Sequence, residues 1–275
     1  MDIANLSANL ELHEPGLWVA KTTAAVSYPE DANAWCYQIE DRSFWFRHRN
    51  RAIQSVVAAF PPAGPIFDIG GGNGYVALGL RQAGFESVLV EPGMHGCANA
   101  RARGLEPVIC ATLEQAGFPA ETLPAAGIFD VLEHIEQDTA FLATLNRLLV
   151  PGGRLYLTTP AYGWLWSQED RDAGHFRRYT LADLGRRLGQ AGYKAEFATY
   201  LFGFLPLPLL LLRTLPYRLG LSKPIDIERE KRRHLSPPGP LGRLVERALA
   251  AEARHIGRAG RLPFGGSCLV VATKL

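Results

Sequence analysis

The chain has 275 residues, room for one large α/β domain with insertions. Its 47% hydrophobic and 20% charged residues are those of an ordinary globular protein, which excludes a low-complexity or disordered chain. A net charge of +2 gives no global electrostatic case for a nucleic-acid partner.

The cysteines Cys36, Cys97, Cys110 and Cys268 form no C-x-x-C pair, and they read as reduced thiols in a cytoplasmic protein. Met1-Asp2-Ile3-Ala4-Asn5 has neither the basic nor the apolar region of a secretory signal. Residues 1–42 read as an irregular or helical arm with several aromatics. Ser43 is placed to cap a helix carrying Phe44, Trp45, Arg47, Arg49, Ile53, Val56 and Val57 up to the Pro61-Pro62 break.

Strands and helices then alternate. A strand over Pro65–Ile69 leads into a helix over Gly74–Ala83, stopped at Gly84. A second strand, Ser87–Glu91, precedes a helix over His95–Arg103. Pro107–Cys110 and Ala126–Asp130 read as the third and fourth strands. The next helix, Asp138–Leu149, sets Leu142, Leu145, Leu148 and Leu149 on one face. Pro151-Gly152-Gly153 marks a sharp turn into strand five, Arg154–Thr159. Thr180 and Asp183 form a capping-box start to a helix ending at Gly192, and Lys194–Tyr200 is the sixth strand. The chain closes in a β-rich run, Gly266–Thr273. This alternation predicts a mostly parallel sheet with helices on both faces.

Residues 201–264 interrupt the pattern. Their apolar opening, Leu201 to Leu212, is too short and too broken by Pro206 and Pro208 to span a membrane as a helix. Arg213, Arg218, Lys223, Arg229, Lys231, Arg232 and Arg233 follow, and a helix over Leu241–Ile256 closes the insertion. Apolar residues followed by arginines fit contact with a membrane surface; the same residues also fit a cap on a substrate pocket or a protein contact.

The chemistry concentrates at Ile66-Phe67-Asp68-Ile69-Gly70-Gly71-Gly72-Asn73-Gly74. An apolar strand ends near an acid, and a glycine turn opens a helix whose first N–H groups are unpaired. The D-x-G-x-G-x-G spacing differs from the G-x-G-x-x-G loop that cradles a dinucleotide pyrophosphate. Glu91 ends the next strand about 20 residues on, where a nucleotide fold places a ribose-binding acid.

These elements, with Glu91-Pro92, Phe129-Asp130-Val131-Leu132-Glu133-His134-Ile135 and Pro151-Gly152-Gly153-Arg154-Leu155, resemble the ordered motifs of class I S-adenosylmethionine (SAM)-dependent methyltransferases. The D-V-L-E-H element is most similar to the branch that includes ubiquinone-biosynthesis O-methyltransferases. Phe44-Trp45-Phe46-Arg47 and Gly174-His175-Phe176-Arg177-Arg178-Tyr179 resemble a bacterial subgroup associated with cell-envelope or polyprenyl-linked pathways. The resemblance implies a Rossmann-like, seven-stranded, mostly parallel sheet with an antiparallel last strand. It divides the chain into an N-terminal arm or lid (1–60), a SAM-binding domain (61–200), an apolar and basic helical insertion (201–264) and the final strand (265–275).

Carried over residue by residue, the resemblance places SAM against Gly70 and Gly72, with Glu91 on the ribose, Asp68 at the methionine end, Phe129 on the cofactor's edge and Thr112 and Leu113 flanking adenine. Arg49 matches the arginine that pairs with the SAM carboxylate in similar enzymes, with Arg51 second.

Displacement at a sulfonium methyl needs alignment, desolvation and, for a hydroxyl acceptor, a base. Tyr162, Trp164 and Trp166 offer apolar walls, and Arg177 and Arg178 a fork for a carboxylate or phosphate. His175 is the candidate base; bracing its loop is the competing role. Asp130, Glu133 and His134 have spacing compatible with a divalent cation, but a hydrogen-bonded brace is the preferred reading and no metal is expected.

The resulting expectation is a SAM-dependent methyltransferase acting on a small-molecule or lipid-linked acceptor, at oxygen. It would be cytoplasmic, with peripheral contact at the inner membrane surface through 201–222, and no nucleic-acid partner. The competing readings are a regulatory SAM-binding protein, an NAD-dependent oxidoreductase, and a methyltransferase acting on nitrogen, carbon or RNA. Acceptor and oligomeric state stay open.

Overall fold

A computed structural model describes residues 3–22, 36–221, 235 and 239–275. Lys223, Arg229, Lys231, Arg232 and Arg233 of the expected basic run lie outside the described residues, as do residues 23–35 of the N-terminal arm.

The strands are β1 (Leu10–Glu14), β2 (Leu17–Ala20), β3 (Ile66–Ile69), β4 (Ser87–Val90), β5 (Val108–Cys110), β6 (Leu123–Phe129), β7 (Leu149–Pro160), β8 (Tyr193–Leu201) and β9 (Ser267–Lys274). The helices are α1 (Phe44–Ala59), α2 (Tyr75–Gln82), α3 (Met94–Ala102), α4 (Leu113–Ala116), α5 (Asp138–Leu148), α6 (Gln168–Asp172), α7 (Leu181–Gln190), α8 (Pro206–Leu209), α9 (Leu215–Arg218) and α10 (Gly239–Gly257).

All nine strands among the described residues join one sheet in the order β1-β2-β5-β4-β3-β6-β7-β9-β8. Pairing is parallel from β2 through β7, while β9 runs antiparallel to both β7 and β8. The fold is therefore the expected Rossmann-like α/β sheet with an antiparallel last strand, but it has nine strands rather than seven.

The two extra strands come from the arm expected to be irregular or helical. Leu10–Glu14 and Leu17–Ala20 form an antiparallel hairpin, and β2 extends the sheet beside β5. The turn holds Gly16 at φ +77°, and Leu10 and Leu17 are buried, while the rest of β1 is exposed and Trp18, Val19 and Ala20 of β2 are half-buried. Two strands of five and four residues carry too few alternating positions to announce themselves in sequence.

Inside the sheet, local chemistry and packing agree. Ser43 Oγ accepts the Phe46 N–H at 3.3 Å and starts α1. Thr180 and Asp183 form a reciprocal capping box on α7. Pro151-Gly152-Gly153 does not end a strand. It sits in an irregularity within β7, where the pairing jumps from Leu123↔Leu149 to Ala125↔Arg154.

Side chains alternate across the sheet, so each strand feeds two cores. Phe67 and Ile69 of β3 pack with Leu142, Leu145, Leu184 and Leu188 from α5 and α7. On the opposite face Ile66 packs with Ile53 and Val56 of α1, Leu80 of α2 and Leu249 and Ile256 of α10. The strand order reverses between β3 and β6, so the connections after β3 and β6 diverge and leave a crevice at the carboxyl ends.

Candidate active site

A cavity of about 780 Å³ occupies that crevice. It is lined from the carboxyl ends of β3, β4, β5 and β6, from α1 and from the segment between β7 and α7.

The glycine loop forms its floor. Gly70 has φ +68°, and a Cβ there would lie 3.0 Å from Val131 Cγ2. A Cβ on Gly71 would lie 2.6 Å from Asp68 Oδ2 and 2.4 Å from Leu89 Cδ1, so this glycine is required by packing. The sequence pattern had singled out Gly70, Gly72 and Gly74 instead. Asp68 is fully buried beneath the loop, and neither of its oxygens makes a hydrogen bond among the described residues. Burial pushes its pKa up to about 7, against the opposing pull of Arg49.

Glu91, just past β4, is buried and holds the loop in place. Its Oε2 accepts the Gly72 N–H at 2.9 Å and its Oε1 the Gly93 N–H at 2.8 Å. Thr112 and Leu113 line the wall after β5, with Thr112 capping α4 through the Gln115 N–H at 3.2 Å. Phe129 closes β6 with its ring over Gly127, where a Cβ would lie 2.3 Å from it.

Arg49 reaches the cavity from α1. Its Nη1 donates to Asp130 Oδ2, and its guanidinium lies 5.3 Å from the Phe46 ring centroid. Arg51, the runner-up, lines a separate small groove with Asn50, Gln54 and Tyr75. Asp130 has φ +57°, uncommon for a residue with a side chain. It is held there by its N–H to Thr158 O at 3.0 Å and by Thr158 Oγ1 donating to Oδ1 at 2.9 Å.

Opposite the glycine loop stands an imidazole–carboxylate pair. His175 Nδ1 lies 2.9 Å from Asp170 Oδ1, which also accepts Arg178 Nε at 2.7 Å. Asp170 is buried, which opposes its charge, yet the bonds from His175 and Arg178 hold its pKa at about 2. An ionised carboxylate only accepts, so Nδ1 must donate, and a ring with a single proton then has its lone pair on Nε2.

His134 packs edge-on against His175, with centroids 4.7 Å apart. Burial, then the neighbouring His175, lower its pKa to about 4, so it is neutral. Glu133 is completely buried, its two oxygens have no hydrogen-bond partner among the described residues, and burial and Asp130 raise its pKa well above the carboxylate range. One ligand atom from each of Glu133, His134 and His175 falls within 4.8 Å of the others.

Ten of the residues singled out in sequence thus meet around one cavity: Arg49, Asp68, Gly70, Gly72, Glu91, Thr112, Leu113, Phe129, His175 and Arg178. Four do not line it. Tyr162 stacks with Trp164 at 5.4 Å and Tyr200 at 5.0 Å in an aromatic cluster outside it. Trp166 is half-buried and also outside the lining. Arg177 turns away to Asp138, donating to its Oδ2 at 2.6 Å, while Arg178 bonds Asp170. The two arginines therefore form no common fork. Trp45, Phe46, Leu209 and Arg213 take the wall positions instead.

A family model described as a methyltransferase domain matches residues 37–196. The chain belongs to that family. It is a SAM-dependent methyltransferase, and the matched residues carry the glycine loop, Glu91, Asp130 and His175.

Solved structures share the fold at low identity. A SAM-dependent methyltransferase of Thermotoga maritima is 18% identical with a TM-score of 0.51, over 84% of this chain and 93% of that one. A Haloferax volcanii protein solved with the Trm112 methyltransferase activator is 15% identical with a TM-score of 0.54, over 89% and 94%. Phosphoethanolamine N-methyltransferase 2 of Haemonchus contortus, in complex with SAM, is 16% identical with a TM-score of 0.52. The match takes in 93% of this methyltransferase and 61% of that chain. No curated protein matches in sequence.

The cavity fits SAM on its own terms. Its volume suits a ligand of that size. The loop lacks side chains where a ligand must approach, and the buried Asp68 carboxyl beneath it has no hydrogen-bond partner among the described residues.

Proposed function

We propose that this methyltransferase acts on a hydroxyl of a small-molecule or lipid-linked acceptor, with His175 as the general base. The observation that carries the reading is the 2.9 Å contact between His175 Nδ1 and the ionised Asp170 on the cavity wall. It leaves Nε2 as a proton acceptor, and Asp170 stabilises the imidazolium formed on taking the proton. When bound, SAM supplies a methyl group on a good leaving group. Gly70, Gly72 and Asp68 would hold its methionine end, Glu91 its ribose, and Thr112, Leu113 and Phe129 its base and edge. Arg49 would turn part of its charge to the carboxylate, its Nε being without a partner in the ion pair with Asp130. Trp45, Phe46 and Leu209 would exclude water from the reacting atoms. The free thiols of the four cysteines support a cytoplasmic setting.

A second reading has one specific observation behind it. The unpaired oxygens of Glu133 beside two imidazoles form a donor set that fits a divalent cation, which would orient an acceptor oxygen. Transfer of labelled methyl from SAM to a panel of hydroxyl and amine acceptors, before and after chelation, tests both. The base reading expects O-methylation that survives chelation and falls in His175→Ala. Loss on chelation with recovery on adding one cation supports the metal reading, and transfer to amines alone defeats the hydroxyl proposal.

A further inference from the structure

The segment after β8 has a use that the methyl-transfer site does not absorb. It forms α8, a π-helical turn (Leu210–Thr214) and α9, one continuous helical strap. Leu207, Leu211, Leu215 and Leu219 recur every four residues and all are exposed, with Leu212 and Leu221 beside them. Four residues overshoot an α-helical turn and fall short of a π turn, so the π turn keeps this row nearer one line.

The row is not a packing failure, because the strap's other side is fully engaged. Leu205 and Leu209 enter the core with Leu249 and Val245 of α10. Thr214 is buried and donates to Leu165 O at 2.9 Å, and Arg218 donates to Trp164 O at 3.0 Å. Arg213 pairs with Glu169 at 3.4 Å. Leucines 68% and 70% exposed, Leu212 and Leu219, are thus presented on a fixed scaffold. An ordered apolar face of this kind marks an interaction site.

What surrounds the row identifies the occupant. Trp164 and Phe264 are both exposed and stack with each other at 6.2 Å, and Trp164 is tied to the strap through Arg218. Aromatic rings at the edge of an apolar face suit the headgroup boundary of a bilayer. The charge has one sign. From Leu201 to Ile225 the sequence carries Arg213, Arg218 and Lys223 and no acidic residue. On α10, Arg243, Arg247, Arg254 and Arg258, at intervals of four, seven and four along the chain from its first turns to just past its end, are exposed. Its acids turn inward, Glu246 to Arg47 at 3.6 Å and Glu252 to His48 at 2.7 Å.

We infer that the strap, with Trp164 and Phe264, docks on an anionic lipid bilayer, and that docking brings the cavity mouth, which Leu209 and Arg213 of the same strap help to line, to headgroup depth. A row made almost wholly of leucine has no directional groups to fix a protein partner's register, whereas hydrocarbon asks for none. A second copy of the chain would set arginines against arginines. No helix among the described residues is long and apolar enough to cross a membrane, so the contact is peripheral.

The test uses the full chain with vesicles of phosphatidylcholine alone and of phosphatidylcholine mixed with phosphatidylglycerol. Sedimentation should show binding to the anionic vesicles, with a blue shift of tryptophan emission. Leu212→Asp with Leu219→Asp should weaken it by about tenfold or more, and Arg218→Glu should weaken it in a salt-sensitive way. SAM affinity by calorimetry should not change in these variants, which shows that they fold. If the parent protein ignores anionic vesicles while binding SAM, or if the leucine variants sediment like the parent, the proposal is overturned. It is equally overturned if the leucine substitutions instead abolish a dimer seen by analytical ultracentrifugation. Vesicle binding without SAM binding would spare the docking surface and remove the methyl-transfer reading.

Discussion

Arg49 on α1 and Asp130 past β6 form an ion pair across the cavity floor, with both side chains largely buried. The pair fastens the helix before the glycine loop to the strand on the far side of the crevice. Nη1 of Arg49 goes to Asp130, and Asp68 has no hydrogen-bond partner among the described residues. Burial is the largest influence on Asp68 and raises its pKa to about 7, against the pull of Arg49.

Asp68 should therefore make SAM binding pH-dependent. Above about pH 7 its carboxyl is already ionised; below it, a proton must leave before the carboxylate can meet the cofactor's ammonium. Affinity should fall as pH drops from 8 to 6, by at most about tenfold per unit. Calorimetry at pH 6 in buffers of different ionisation enthalpy should detect proton release. Asp68→Asn should flatten the dependence and weaken binding at pH 8. A flat affinity profile in the parent protein contradicts this role.

Asp170 is expected to act through His175. Asp170→Asn would offer Nδ1 a group that can donate as well as accept, so the ring loses its fixed tautomer. Turnover should drop by about 10²-fold or more, with SAM affinity retained. Steady-state kinetics beside calorimetry separates this from a collapse of the loop. Unchanged kcat in Asp170→Asn would remove the pair from the chemistry.

Another largely buried carboxylate, Glu252, is expected to contribute to stability. Its Oε1 meets His48 Nε2 at 2.7 Å and the Phe202 N–H at 2.6 Å, and its Oε2 accepts the Gly203 N–H at 3.0 Å. Phe202 sits there at φ +60° and stacks on Trp45 at 4.0 Å. Burial opposes the charge on Glu252, but these bonds lower its pKa overall. Its contribution is accordingly present above the ordinary carboxylate pKa and is lost as pH falls through the folded value. Glu252→Ala should destabilise by about 3–5 kcal/mol, since it strands two backbone amides and a buried imidazole. Urea unfolding at pH 7 checks this; a midpoint equal to the parent's would show that the cluster contributes nothing.

Much of this site was legible in sequence because its logic is local. An acid in an apolar strand, glycines at the turn and an acid ending the next strand are all short-range signals, and Asp68, Gly70 and Glu91 lie where that pattern puts them. Gly71 escaped it because its constraint is tertiary: the Leu89 and Asp68 side chains fill the space beside its Cα. Tyr162 and Trp164 misled for a similar reason. Aromatic composition says nothing of direction, and Tyr200 and Phe264, distant in sequence, draw them out of the cavity. Leu209 and Arg213 reach the wall only because the strap folds back over α6, which no periodicity in 201–222 reveals. The N-terminal hairpin joins the sheet by pairing β2 with β5, a contact remote in sequence, so its own residues carry little signal.

The central claim is that the glycine loop and Glu91 hold SAM. Titration calorimetry with S-adenosylhomocysteine, on the parent protein and on Glu91→Ala, addresses it most directly. Binding by the parent should be saturable and one-to-one. In Glu91→Ala the affinity should be weaker by about 1.5–3 kcal/mol, the range for a hydrogen bond to a charged group. No binding by the folded parent at millimolar ligand, or equal affinity in the two proteins, would contradict it.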